Sequence, residues 1–138
     1  MNSVGIETCV NYGADYIKTM RINAYLVASL LIRYNLGIER VKQHNFFSGK
    51  DCPMTIRHAN MWEEFLELVN INLIYLKEFK DYKFEFKSLD SEFLDNSGKI
   101  IKHQNGKVVR YLVKVSKDDF DKEYIFESKL DNISFEIE

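Results

Sequence analysis

The stretch DYIKTMRINAYLVASLLIRYNL, from Asp15 to Leu36, has the pattern of an amphipathic helix. Its apolar residues recur at intervals of three and four, so they fall on one face of an α-helix. We predict that this face packs on a core and that the helix closes at Asn35-Leu36-Gly37, with Gly37 just past its C-terminus. The residues of the face are Ile17, Met20, Ala24, Val27, Leu31 and Tyr34.

Two short segments on either side of this helix predict strands. Residues 4–10 are small and apolar except for Glu7, as in a short buried strand. Ile38 to His44 is the second segment, which as a strand would carry His44 at its end. Residues 45–55 predict a loop, because they hold a glycine and the only proline of the chain.

A second helix is predicted after this loop. Asn60 and Glu63 have the spacing of an N-cap residue and its capping-box partner. The apolar residues around and after them recur at helical spacing, and the simplest interpretation of this stripe is core packing. The stripe consists of Trp62, Phe65, Leu66, Val69, Leu73 and Leu76.

Near residue 80 the pattern changes from helical spacing to an alternation with a period of two. Phe84 and Phe86 alternate with charged residues, and Asp95 to Gly98 has the composition of a turn. Several short strands at such spacing predict a small all-β sandwich over residues 81–138, after an α/β domain over residues 1–80. The further predicted strands are Val109–Val115, Tyr124–Phe126 and Ile133–Ile137.

Composition and charge exclude several function classes. The 138 residues carry 19 basic and 21 acidic side chains, for a net charge of −2, so we expect no nucleic-acid partner and no polybasic membrane patch. The longest apolar run, Ala24 to Ile32, is too short to span a bilayer, which argues against membrane insertion. The first seven residues lack the charged and apolar regions of a signal peptide.

The segment HNFFSGKDCP, from His44 to Pro53, holds the residues with the clearest chemistry. An imidazole and a thiolate eight residues apart, with a glycine between them, can bend onto one Zn²⁺ ion, which accepts both ligand types. Spacing alone leaves two alternatives open. His44 can be a surface histidine beside a buried Cys52, and Cys52 can instead form a disulfide with Cys9.

The longer run RVKQHNFFSGKDCP, from Arg40 to Pro53, resembles the zinc-ligand loop of N-acetylmuramoyl-L-alanine amidases of the phage-lysozyme and peptidoglycan-recognition type. Ser3 to Glu7, SVGIE, resembles the family's Ser-Ile-Gly-Ile-Glu strand. The helix between the two motifs and Trp62 after the loop also match the family order. The resemblance covers about residues 1–79 and implies a mixed sheet with flanking helices.

This resemblance implies that His44 and Cys52 ligate Zn²⁺ in an enzyme that cleaves the amide between N-acetylmuramic acid and L-alanine of peptidoglycan. Zinc acidifies a water molecule in such a site. The resemblance implies that Lys50 stabilises the developing oxyanion. It places Glu7 near the metal, where its carboxylate could orient the water, accept its proton or hold a ligand. A solvated Lys50 and a paired Glu7 are the alternatives. The intact protein is then expected outside the cell or in the cell wall.

One departure from the family pattern is clear. The family's first zinc ligand is a histidine that precedes the Ser-Ile-Gly-Ile-Glu segment, together with a catalytic tyrosine, and no histidine precedes His44 here. The resemblance therefore implies the C-terminal part of the domain, with Met1 an internal methionine or the start of a truncated gene. His58 is an alternative third ligand.

Missing strands would leave backbone groups unpaired, so we expect a marginally stable or self-associating chain.

Three hypotheses follow: a zinc amidase completed by further sequence, a peptidoglycan-binding remnant without catalysis, and an inactive gene product.

The second half has a resemblance of its own. Leu94–Ile100, with Val109–Val115 and Glu123–Leu130, is similar to the immunoglobulin-like domains attached to bacterial wall enzymes. The alternative is an arbitrary pair of β-hairpins.

Overall fold

The computed structural model describes residues 3–130. The chain forms two compact units, Met1–Lys80 and Asp81–Glu138, and each is described by itself. Their boundary lies next to the change of sequence pattern near residue 80. No helix in the described range is long and apolar enough to cross a membrane.

Helix α1, Tyr16–Arg33, confirms the helix predicted from the first apolar stripe. It begins at Asp15, whose carboxylate accepts a hydrogen bond of 2.9 Å from the backbone N–H of Lys18. Its apolar face packs into the core of the first unit as the spacing predicts, except for Tyr34, which follows the helix and is exposed. The buried residues of the helix are Tyr16, Met20, Ala24, Val27, Ala28 and Leu31.

The end of α1 differs from the prediction, because Asn35 and not Gly37 is its left-handed residue, with φ 52°. The N–H of Asn35 donates to the carbonyl of Ile32, and the N–H of Leu36 donates to the carbonyl of Leu31. These two bonds form a Schellman motif, in which asparagine replaces glycine at modest conformational cost. The prediction of Gly37 as the closing residue is therefore wrong.

Helix α4, Trp62–Ile74, continues into a π-helical turn at Tyr75–Phe79 and packs on α1. Phe65, Val69 and Leu73 are buried on the face that the stripe predicts. The predicted N-cap at Asn60 is wrong, since Met61 occupies that position without a side-chain cap. Asn60 instead has φ 54° and closes the preceding helix, so it is not available as a cap for α4.

Two predicted strands of the first unit are absent from the described residues. Residues 4–10 have no regular structure, although Ile6 packs on the core. Ile38–Arg40 is a 3₁₀ turn, and His44 begins a helix instead of ending a strand. A strand needs a partner for its backbone hydrogen bonds, and residues 3–80 offer only helices and turns. The mixed sheet and the α/β class stay predictions.

The predicted loop over residues 45–55 also contains helical turns. Helix α2, His44–Ser48, and helix α3, Met54–His58, are each five residues long. Ile56 of α3 is buried in the same core as α1 and α4, which fixes α3 against the helical pair.

The second unit contains an antiparallel sheet in the order β1-β2-β3, with β1 Lys83–Ser88, β2 Val108–Lys117 and β3 Phe120–Lys129. These strands confirm three of the strand predictions. A two-residue hairpin at Asp118-Asp119 joins β2 to β3, with Lys117 opposite Phe120. The buried cluster of this unit consists of Phe93, Leu94, Val109 and Leu130.

The predicted turn at Asp95–Gly98 is confirmed. It lies between β1 and β2, where Leu94 and Ile100 form an isolated antiparallel bridge around it. Gly98 has φ 81°, a conformation that favours glycine. The predicted strand Ile133–Ile137 lies outside the described residues, and the immunoglobulin-like sandwich stays a prediction.

Candidate functional site

The segment from His44 to Cys52 closes on itself through its backbone. The N–H of Asn45 donates to the carbonyl of Cys52 over 2.9 Å, which joins the start of α2 to the residue before Pro53. The N–H of Gly49 donates to the carbonyl of Asn45 over 2.8 Å and ends α2. Gly49 has φ 72°, which lets the chain reverse there at little cost. The backbone segments that carry the two candidate zinc ligands therefore adjoin each other in one closed loop, the ligand loop (residues 44–52).

The side chain of Asn45 fastens the middle of the ligand loop. Its amide nitrogen donates to the carbonyls of Gly49 over 3.2 Å and Lys50 over 2.9 Å. The N–H of Cys52 also donates to the carbonyl of Lys50, over 2.8 Å. These short-range bonds satisfy backbone groups that a loop otherwise leaves to water.

The two candidate ligands differ in exposure. His44 is exposed, and Cys52 is half-buried. Cys9 is exposed, and both cysteines are free thiols, so the structure has no disulfide between Cys9 and Cys52. The side chains of His44 and Cys52 therefore remain available as metal donors.

The donors of the ligand loop suit zinc in kind but not in number. A catalytic zinc site uses three protein ligands, and imidazole and thiolate are both common among them. Within residues 3–130 no group of three or more histidine, cysteine, aspartate or glutamate side chains is placed to hold a metal. His58, the alternative third ligand, instead has its Nε2 at 2.8 Å from Oδ2 of Asp51.

Lys50 and Glu7, the other two predicted site residues, are both exposed. The Lys50 ammonium has no ion-pair partner in the described range, while its backbone is fixed by the ligand loop. Glu7 lies in the irregular segment before α1, and no hydrogen bond or ion pair among residues 3–130 joins it to the ligand loop. The structure thus places Lys50 two residues from Cys52 and does not bring Glu7 to it.

A polar network beside the ligand loop was missed by the sequence analysis. Oδ1 of Asp51 accepts a hydrogen bond of 2.8 Å from Nε of Arg57, and Oδ2 contacts His58. The hydrogen bond from Arg57, and after it the one from His58, lowers the pKa of Asp51 below its ordinary value. The available signal was an acid six and seven residues before two basic residues, a spacing that depends on the turn at Pro53.

An open groove of about 490 Å³ adjoins the ligand loop. Its walls combine apolar side chains with the polar ends of Lys42, Gln43 and Arg57. The apolar part consists of Ile38, Val41, Phe46, Trp62 and Leu66.

The chain has homologues among N-acetylmuramoyl-L-alanine amidases of Bacillus subtilis strain 168. It is 32% identical to the amidase XlyA over 63 residues, which is 46% of this chain and 20% of the relative. It is 34% identical to the amidase CwlH over 64 residues, which is 46% of this chain and 25% of the relative. The amidase CwlA is 34% identical over 62 residues, 44% of this chain and 23% of the relative.

The chain thus spans about a fifth to a quarter of the length of these curated relatives. No model of a protein family matches the chain. No solved structure matches it.

Proposed function

We propose that this chain is part of an N-acetylmuramoyl-L-alanine amidase and supplies two ligands, His44 and Cys52, to its zinc site. The observation that carries the proposal is the similarity to several amidases at 32–34% identity over nearly half of the chain. The closed ligand loop supports it, because its backbone brings the two donor-bearing segments together.

We propose that the third ligand of the complete site is a histidine from outside residues 3–130, and that water molecules take its position when the 138-residue chain alone binds zinc. Zinc held by imidazole, thiolate and a further imidazole would supply an acidified water molecule and polarise the scissile carbonyl. The exposure of His44 and the partial exposure of Cys52 leave room for the metal and for a substrate above the ligand loop.

Lys50 is proposed to stabilise the negative charge that develops on the carbonyl oxygen during attack. Its ammonium is exposed and unpaired in the described part of the chain, while its carbonyl is held by Asn45 and by Cys52. A positive charge in such a position is worth more in the transition state than in the ground state. Glu7 is proposed to accept the proton of the water, which requires segment 3–10 to approach the ligand loop in the complete site.

Peptidoglycan is the proposed substrate, and the cell wall or the extracellular space is the proposed location. The immunoglobulin-like domain over residues 81–138 stays part of this proposal. The three antiparallel strands of the second unit are compatible with it, since such sandwiches are built from antiparallel sheets.

The reaction can be tested on purified peptidoglycan with zinc and with the 138-residue chain joined to the preceding part of a related amidase, which supplies the third ligand. We expect new L-alanine amino termini, without new reducing ends on the glycan, because an amidase cuts between the lactyl group and the peptide. New reducing ends would contradict the proposal, since they report cleavage of the glycan. A Cys52→Ala variant should release no amino termini, and a Cys9→Ala variant should match the wild-type chain.

A second candidate is a peptidoglycan-binding remnant without catalysis. The observation that favours it is that residues 3–130 hold no cluster of three metal-binding side chains. Co-sedimentation with insoluble peptidoglycan separates the two candidates. Binding without release of amino termini, by the chain that has been supplied with zinc and joined to a segment with the third ligand, would favour the remnant over the enzyme.

A further inference from the structure

The guanidinium of Arg57 contacts both ends of the ligand loop. Its Nε donates to Oδ1 of Asp51 over 2.8 Å, and its Nη1 donates to Oε1 of Gln43 over 2.9 Å. Gln43 directly precedes His44, and Asp51 directly precedes Cys52. One side chain thus connects the two residues that stand next to the two candidate ligands.

Arg57 is anchored to the core of the first unit through its helix, α3. It belongs to α3, whose Ile56 is 4% exposed, and its N–H donates to the carbonyl of Pro53 over 3.1 Å. The side chain of Arg57 is itself only 33% exposed. The planar guanidinium presents its donors in a fixed arrangement, so the two bonds constrain distance and direction together.

Apart from Arg57, the segments that it joins are held by hydrogen bonds within the ligand loop itself. Helix α2 is five residues long and has no side-chain cap at Gln43. A helix of that length is not stable by itself in water, so His44 needs neighbouring contacts to hold its place. An isolated surface ion pair contributes little to stability. Here the carboxylate of Asp51 is also bonded to His58, and the amide of Gln43 is bonded to the same guanidinium, so several groups act together.

We propose that Arg57 is a positioning residue of the ligand loop: by bridging Gln43 and Asp51, it holds His44 and Cys52 in the arrangement that binds zinc. The proposal rests on the zinc site of the proposed function. The part of the proposal that concerns the ordering of the ligand loop by Arg57 does not require metal.

Two measurements on the full 138-residue chain test the proposal. The first is the zinc affinity of the wild-type chain and of Arg57→Gln, by competition with a chromogenic chelator. Groups that orient metal ligands typically change metal affinity by about 10–100-fold, so we expect a loss of at least about tenfold. The second is amide hydrogen exchange of Asn45 in the metal-free chain, which should accelerate in Arg57→Gln because the bond to Cys52 opens more often.

Three further variants separate positioning from a general loss of structure. Arg57→Lys keeps the charge but cannot bridge both partners, so it should bind zinc less well than wild type. Asp51→Asn combined with Arg57→Gln should cost less than the sum of the single losses, because both act through one contact. Arg33→Gln, an exposed arginine on α1, is the matched control and should leave both measurements unchanged.

The possible outcomes are distinct. Weaker zinc binding and faster exchange of Asn45 in Arg57→Gln support the proposal, provided that far-ultraviolet circular dichroism matches wild type. Unchanged affinity with unchanged exchange overturns it. If the wild-type chain binds no zinc, the metal half of the proposed function fails. The exchange of Asn45 then still decides whether Arg57 orders the ligand loop.

Discussion

The backbone N–H of Asn45 donates to the carbonyl of Cys52 over 2.9 Å, across seven residues of sequence. This bond brings the residue after His44 against Cys52 itself. A five-residue helix that begins at His44 and a turn at Gly49 make the closure possible. The backbone segments of the two candidate ligands are thereby brought together by local structure and not by a sheet.

Asn45→Ala should destabilise the ligand loop. The substitution removes the side-chain bonds to the carbonyls of Gly49 and Lys50, and a typical hydrogen bond contributes about 0.5–1.5 kcal/mol. We expect faster hydrogen exchange at Cys52 and a lower zinc affinity, with the helical content unchanged. Exchange at Cys52 as slow as in wild type would show that the side chain of Asn45 is dispensable.

Lys50→Ala should reduce turnover more than substrate binding. Removing one donor to a developing oxyanion typically lowers kcat by about 10²–10³-fold. Steady-state rates of amino-terminus release give kcat and KM separately. They are measured on an active amidase that contains this chain. Lys18→Ala, an exposed lysine on α1, should change the rate less than twofold. A Lys50→Ala rate within twofold of wild type would assign Lys50 to the solvated surface.

Leu73→Ala should destabilise the first unit by about 2–5 kcal/mol, because Leu73 is 7% exposed in the core between α1 and α4. The matched control is Ile71→Ala on the same helix. Ile71 is 60% exposed, so its truncation should change the free energy of unfolding by less than about 0.5 kcal/mol. Urea denaturation followed by circular dichroism measures both. Equal losses for the two variants would mean that α4 buries a different face.

The second unit should lose stability in acid through Asp95. Its carboxylate accepts hydrogen bonds from the hydroxyl and N–H of Ser97 and from the N–H of Lys99. The bond from the Ser97 hydroxyl, followed by the backbone bonds, lowers the pKa of Asp95 below its ordinary value. A lowered folded-state pKa means that the stabilisation is fully present above the unfolded pKa of about 3.9 and is lost as the pH falls through the folded value.

Carboxyl chemical shifts in a pH titration measure this pKa directly. We expect a value for Asp95 below about 3.9, and Asp95→Asn should reduce the acid sensitivity of unfolding of residues 81–138. A measured pKa at or above that of an unfolded aspartate would contradict the hydrogen bonding described for this turn.

Sequence patterns predicted the elements whose signals are local. The apolar stripe that begins at Ile17 and the alternation in β2 both follow from side-chain periodicity, and both are present in the structure. The strand predicted over residues 4–10 failed for a non-local reason, since a strand forms only beside a partner. Asn60 was misassigned because asparagine serves both as a cap residue and as a left-handed helix end. Gly37 was predicted to end α1, although asparagine, here Asn35, also adopts that left-handed conformation.

The candidate site divides in the same way. The residue types of His44 and Cys52 suggested the ligand loop, and the family resemblance of the run from Arg40 to Pro53 singled it out. The bridge from Arg57 to Gln43 joins residues 14 apart, and it exists only because α3 turns back toward α2. No periodicity in the sequence predicts such a contact.

The central claim is that His44 and Cys52 ligate zinc. It is tested most directly by the zinc content of the purified 138-residue chain after dialysis against a buffer that contains zinc. We expect close to one zinc per chain, lost in Cys52→Ala and retained in Cys9→Ala, because a thiolate ligand is required only at Cys52. Absence of zinc from the wild-type chain, or binding that is unchanged in Cys52→Ala, would contradict the account.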